Sequence, residues 1–281
     1  MFLEIAAAWT HLGTSGNPAT GAEGAATVAA DQDVVEMKGN FESQGKTIAI
    51  ERYEPKAPGK YPAVLVVHGA GGMTVGGPWF RDSARALARR GYVAHLVHYF
   101  DLTGTRLADP PAMKAHFAGW MRVLADGVTN ATRQPNVDPT RVGLLGFSLG
   151  SYLSVSLSMY DPRVSAVVEY FGGLPDALAG QVKTLPPTLI LHGETDPVVP
   201  VAQAKALERL CEEKKIPYEI CIYPGQGHGF FGETGRDASR RTLAFFDAHL
   251  KDAATPRTRE TSVVPDPETF VASGENAGGS K

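Results

Sequence analysis

Residues 63–69, AVLVVHG, form a solid apolar run that ends in a glycine cluster. A run of that length and β-branched content is the pattern of a strand covered on both faces. YVAHLVHY (92–99), RVGLLG (141–146), VSAVVEYF (164–171), PTLILHG (187–193) and YEICIYP (218–224) read as further strands. Helical spacing fills the intervals. A helix opens at Pro78-Trp79-Phe80, carries Ala84, Leu87 and Ala88 inward and stops at Gly91. Met113 to about Val128 places Phe117, Met121, Leu124 and Val128 on one stripe. SLGSYLSVSLSMY (148–160) and Val201 to Lys215 follow, and Ser239 to Leu250 closes the series with Leu243, Phe246 and Leu250 inward. Before them, Val34 to Phe41 and Lys46 to Tyr53 predict a hairpin turning at Ser43-Gln44-Gly45, and Asp138-Pro139-Thr140 predicts a turn ahead of RVGLLG. Strands alternating with helices imply βαβ crossovers. The expectation is an α/β chain with a mostly parallel, doubly wound sheet and helices on both faces.

The ends break this pattern. Residues 1–32 are rich in Ala, Gly and Thr, have no Lys or Arg, and interrupt their apolar start with Glu4. They lack the basic n-region and unbroken apolar stretch of a secretory signal and are expected to be a flexible leader. Ala29-Ala30 before Asp31 resembles a processing site, so a trimmed export signal stands as the alternative to a cytoplasmic location. Residues 252–281 hold one aromatic, Phe270, with Pro256, Pro265 and Pro267 among Gly and Ser, and are expected to be a flexible tail. One domain is left, over 33–251. No apolar run approaches the roughly 18 residues of a membrane span. Of the 281 residues, 27 are Lys or Arg against 30 Asp or Glu, a net charge of −3 that favours neither nucleic acid nor an anionic membrane as partner. Cys211 and Cys221 are too few for a disulfide scaffold, and without a CxxC pair they suggest no zinc site.

The chemistry lies where RVGLLG meets the following helix, at Gly146-Phe147-Ser148-Leu149-Gly150. This is G-x-S-x-G in its strand–turn–helix context. So sharp a reversal leaves no room for Cβ atoms two residues before and two after the serine, and it lifts the Ser148 hydroxyl above the C-terminal edge of the sheet. It also sets the Leu149 N–H at a helix N-terminus, where negative charge is stabilised. A serine needs a base to take its proton and an acid to orient the base. Asp196 follows one predicted strand and His228 the next, in the chain order Ser148, Asp196, His228. Glu194 competes for the acid role and His249 for the base. Asp196 is preferred because Pro197 and a helix start follow it, and His228 because His249 lies within the terminal helix. His192, at a strand end, is expected to pack or hydrogen-bond structurally. The Gly-rich turn His68-Gly69-Ala70-Gly71-Gly72 offers backbone N–H groups for a second oxyanion donor, with Ala70 the choice. Trp79, Phe147 and Phe230, with Phe80 and Phe231, suggest an apolar acyl or alcohol pocket.

With HGAGG, GFSLG, HGETDPVVP and GHGF in this order, the chain resembles the α/β-hydrolase superfamily and, within it, the dienelactone hydrolase family, over about residues 46–250. The resemblance implies Ser148 as nucleophile, His228 as general base and then acid, Asp196 as orienting carboxylate, and Ala70 and Leu149 as oxyanion donors. It implies no metal or organic cofactor. Two departures stand out. Dienelactone hydrolases carry cysteine at the nucleophile position, where this chain has Ser148, and they bind a substrate carboxylate with two arginines. Arg106 in DLTGTR is a shifted match to the first; Arg236 lies too far along its loop to match the second.

The expected function is therefore a serine hydrolase for small esters or lactones, working as a monomer or homodimer on a small-molecule ester. Two other readings stay open: a peptidase similar to the catalytic domain of prolyl oligopeptidases, and a non-catalytic binding protein on the same fold.

Overall fold

The computed structural model describes residues 33–251. The expected leader (1–32) and tail (252–281) lie outside the described residues. The strands are β1 (Val34–Ser43), β2 (Lys46–Pro55), β3 (Tyr61–Val67), β4 (Val93–Val97), β5 (Val137–Phe147), β6 (Val164–Tyr170), β7 (Thr188–Gly193) and β8 (Tyr218–Tyr223). The helices are α1 (Gly72–Arg89), α2 (Pro110–Thr132), α3 (Leu149–Ser158), α4 (Asp176–Ala179), α5 (Ala202–Lys214) and α6 (Gly232–Phe246).

All eight strands join one sheet in the order β1-β2-β4-β3-β5-β6-β7-β8. The hairpin partner β1 and the junction of β2 with β4 are antiparallel, and the remaining pairings are parallel. The solid apolar runs divide by pleat, as a strand's period of two requires. Ala63, Leu65 and Val67 of β3 enter one core with Leu124 of α2, Leu153 of α3 and Leu207 of α5. Val64 and Val66 enter the other with Leu87 of α1 and Phe246 of α6. The expected doubly wound architecture is present.

From β3 the chain crosses to β4 on one side and then returns to β5 on the other. That reversal opens a crevice beyond the C-terminal ends of β3 and β5, the place where open α/β sheets form sites. Residues 68–72 and Ser148 flank it.

Three boundaries differ from the sequence expectation. α1 starts at Gly72, so Pro78 lies inside it; the stretch GMTVGG has no apolar stripe to betray a helix. α6 starts at Gly232, seven residues before Ser239, and continues past Phe246 as a π turn, Asp247–Lys251. Its opening turns are polar and held by ion pairs from Asp237 to Arg240 and Arg241, at helical neighbour spacing. The Asp138-Pro139-Thr140 turn is a bulge within β5. The β3 partner jumps from Val137 to Val142 there, and Asp138 Oδ1 accepts from Thr140 N at 3.0 Å.

Candidate active site

Ser148 occupies φ 54°, ψ −117°, a conformation L-residues adopt only under constraint. The constraint is backbone packing. A Cβ on Gly146 would lie 2.5 Å from the Gly150 carbonyl oxygen, and one on Gly150 would lie 2.1 Å from the Val67 carbonyl oxygen. Both glycines are required by close approach, as the motif predicted. Ser148 N donates to the Tyr170 carbonyl at 2.9 Å, which ties the turn to β6. Ser151, one residue beyond the motif, donates to the Gly146 carbonyl at 2.7 Å and accepts from Tyr170 N at 3.0 Å.

Ser148 Oγ lies 2.9 Å from His228 Nε2, and His228 Nδ1 lies 2.7 Å from Asp196 Oδ2. The second oxygen of Asp196 accepts from Val198 N at 2.8 Å and Val199 N at 2.9 Å. The same carboxylate therefore closes its own turn with one oxygen and faces the imidazole with the other. His192 Nε2–H donates to the Val199 carbonyl at 2.8 Å, so the far end of that turn is held too. Burial keeps His192 neutral, its pKa lowered despite that bond. The two competitors are elsewhere: Glu194 is exposed and accepts from Gly225 N, while the His249 ring packs on Phe245 at 4.4 Å.

On the opposite bank, residues 69–72 pass close over the nucleophile: a Cβ on Gly69 would lie 3.3 Å from Ser148 Cβ. Ala70 sits in this loop and Leu149 opens α3, where the first N–H groups have no partner within the helix. The loop is held by residues that the sequence did not mark. The His68 ring stacks on Tyr99 at 4.1 Å and meets Phe100 edge-on at 4.7 Å, and Tyr99 donates to the His68 carbonyl at 2.9 Å. Burial pushes the His68 pKa down to about 3, so the ring is an uncharged packing element. The Ala70 carbonyl accepts from Ala108 N at 2.9 Å, which brings the segment carrying Arg106 to the rim of the cleft; the Arg106 side chain is exposed.

The expected apolar pocket residues are placed differently from one another. Phe147 is 2% exposed and packs against Trp79 and Phe80, and Phe230 is 3% exposed and packs against Tyr170 and Tyr223. Both spend their rings in the core. Trp79, Phe230 and Leu243 line a cavity of about 160 Å³ between α1 and α6, in which no member of the Ser148, Asp196, His228 set takes part. Phe171, which the sequence reading passed over, is the aromatic that touches the imidazole, 4.7 Å from the His228 ring. Cys211 is buried in the α5 core, where burial pushes its thiol up to about 12, and Cys221 of β8 is half-buried against the other core.

Three comparisons bear on this geometry. The model of the dienelactone hydrolase family matches residues 48–254. A putative carboxymethylenebutenolidase of Synechocystis is 28% identical over 239 residues, 74% of this chain and 95% of that protein. A dipeptidyl aminopeptidase of Pseudoxanthomonas mexicana is 27% identical over 62% of this chain but only 31% of its own length. A crystal structure of a putative dienelactone hydrolase from Klebsiella pneumoniae superposes with a TM-score of 0.68 at 22% identity, covering 77% of this chain and all of that one. That structure supports the fold, while the family match spans most of the sheet and every residue of the hydrogen-bonded set at Ser148. This α/β-hydrolase chain belongs to the dienelactone hydrolase family.

Proposed function

We propose that the protein hydrolyses a small carboxylic ester or lactone through an acyl intermediate on Ser148. The observation that carries this reading is the continuous hydrogen-bond chain from Ser148 through His228 to Asp196 beneath a strained glycine-flanked turn. His228 Nε2 takes the hydroxyl proton as Ser148 Oγ attacks the carbonyl carbon, and Asp196 holds Nδ1–H so that Nε2 is the free base. The oxyanion of the tetrahedral intermediate accepts from the Ala70 and Leu149 N–H groups, each worth about 3 kcal/mol in sites of this type. Collapse expels the alcohol, which takes the proton from His228. Water, deprotonated by His228, then attacks the acyl-Ser148 carbonyl and releases the acid. A lactone follows the same course with acid and alcohol on one molecule. The steps draw on no cofactor.

In this reading one domain over 33–251 acts in the cytoplasm, with export as the alternative, as a monomer or homodimer without nucleic acid or membrane as partner. No helix among the described residues is long and apolar enough to cross a membrane. In this reading Arg106, exposed in the segment that bonds the Ala70 carbonyl, meets a substrate's polar end.

Ser148→Ala tests the reading. It should abolish labelling by a fluorophosphonate and lower kcat on p-nitrophenyl esters by about 10⁶-fold, as removal of a serine nucleophile does. A folded wild type that takes no label rejects the serine mechanism. Faster turnover of aminoacyl or peptide amides than of matched esters moves the assignment to the peptidase reading.

A further inference from the structure

Glu169 is the one acidic residue in the apolar run of β6, and its side chain is fully buried. It stands opposite Gly146, the first glycine of the nucleophile turn, on the face covered by α3. One carboxyl oxygen, Oε2, accepts from Gly172 N at 2.7 Å, while Oε1 is buried with no hydrogen-bond partner. That bond spans Tyr170 and Phe171, and Phe171 has φ 44°, a left-handed conformation in a bulky residue. The ring so directed packs on the His228 imidazole. At the same turn the Tyr170 carbonyl holds Ser148 N, and Ser151 Oγ accepts from Tyr170 N. Gly172 sits so close to α3 that a Cβ there would fall 2.2 Å from Ser151 Cβ. One buried carboxyl thus closes a strained turn whose two other residues touch the nucleophile's backbone and the base's ring.

We propose that Glu169 is a positioning residue of the active site, whose buried carboxyl locks the Tyr170-Phe171-Gly172 turn and, through it, sets His228 against Ser148. Four influences on its charge can be named. Burial raises its pKa, the Gly172 N–H and the Ser151 hydroxyl lower it, and the carboxylate of Asp196 raises it; the balance is a value pushed up to about 8. Tyr152 of α3, the other ionisable group turned towards it, is itself held neutral by burial. A buried anion with one bare oxygen and a second carboxylate nearby is costly, so ionisation favours opening of the turn and hydration of the group. The nucleophile and base then lose their alignment while the substrate's binding surfaces stay in place.

The inference rests on the serine hydrolase reading, and its test separates the two. The rate constant for fluorophosphonate labelling of Ser148 is measured from pH 6 to 10 in the full chain, in wild type and in Glu169→Gln. Gln keeps the acceptor for Gly172 N and cannot ionise. The wild-type rate should fall on the alkaline side with a midpoint near pH 8, and Glu169→Gln should match wild type within about twofold at pH 7 and lack that fall. Glu169→Ala, where folded, should label at least about tenfold more slowly at pH 7 and show a lowered kcat with KM nearly unchanged on an ester substrate. An alkaline fall that is the same in wild type and Glu169→Gln, or no fall in either, overturns the role of Glu169. A folded wild type that takes no label overturns instead the serine reading beneath it. Should Glu169→Ala fail to fold, the Gln profile decides alone.

Discussion

Asp196 carries two duties on two oxygens, and the division makes them separable. Oδ1 closes the turn to Val198 and Val199, and Oδ2 faces His228 Nδ1. Asp196→Asn can keep the carbonyl oxygen on the turn, but its NH₂ then meets Nδ1 and favours the imidazole tautomer with the proton on Nε2, where the base must be free. The expected outcome is a chain that melts within a few degrees of wild type with kcat lower by about 10⁴-fold, measured by calorimetry and ester hydrolysis together. A variant with near wild-type kcat would show that Asp196 serves only its turn. At this scale the sequence was informative where a residue's type is forced. Gly146 and Gly150 are forced by contact with the neighbouring backbone, and Ser148, Asp196 and His228 by the chemistry of the proposed function. Phe171 and the clamp of His68 by Tyr99 and Phe100 leave no mark in the sequence, because an aromatic at a strand end has the same composition whether it packs in the core or on the His228 imidazole. Glu169 left one legible mark, a charge inside an otherwise apolar strand.

Among elements, a second buried carboxylate behaves in the opposite way. Glu51 of β2 receives Arg81 of α1 through two bonds of 2.7 Å, Tyr53 at 2.7 Å and His98 Nε2 at 3.1 Å. Burial acts to raise its pKa, but the Arg81 and Tyr53 hydrogen bonds and the Arg81 charge outweigh it and hold the value at about 2. Because the folded pKa lies below the unfolded one, the stabilisation is complete above about pH 4.5 and is lost as pH falls towards 2. Glu51→Gln should lower Tm at pH 7, since Arg81 loses its charge partner, and its Tm should fall less than that of wild type between pH 5 and pH 3. Parallel acid curves would remove this ion pair from the fastening of α1 to β2. The cluster joins residues far apart in sequence, so no local pattern reveals it. The same limit explains the elements that were read short. The first turns of α1 and α6 are polar or glycine-rich and offer no periodic apolar stripe, whereas β3, β4, β6 and β7 are apolar runs buried on both faces, and β8, at the sheet edge, is half-buried.

At the scale of the molecule, the sheet's reversal between β3 and β5 gathers residues 68–72, 148–151, 196 and 228 at one edge, and the exposed apolar surface gathers there as well. Among the described residues the exposed large hydrophobics are Val75, Leu107 and Phe231, at 50%, 60% and 77% exposure. Val75 is one turn from Gly71, Leu107 precedes the residue that bonds Ala70, and Phe231 packs over Gly229 beside His228. In the proposed function, a long acyl chain leaving the cleft is expected to meet this rim. Covering about 30 Å² of the Phe231 ring at about 25 cal/mol/Å² is worth ~0.7 kcal/mol, so Phe231→Ser should raise KM for a long-chain p-nitrophenyl ester about threefold and leave the acetate unchanged. Equal effects on both esters would count against the rim. The chain by itself determined the alternation of strands and helices and the doubly wound class, and it pointed to the three side chains that meet at Ser148, because hydrophobic period, glycine sterics and the proton chemistry of serine are local or nearly local constraints. Tertiary structure alone decided the 2.9 Å and 2.7 Å contacts that join Ser148, His228 and Asp196, and the surroundings that raise the pKa of Glu169 and lower that of Glu51. A distance between residues 80 positions apart and the cost of a buried charge exist only once the sheet has closed around them.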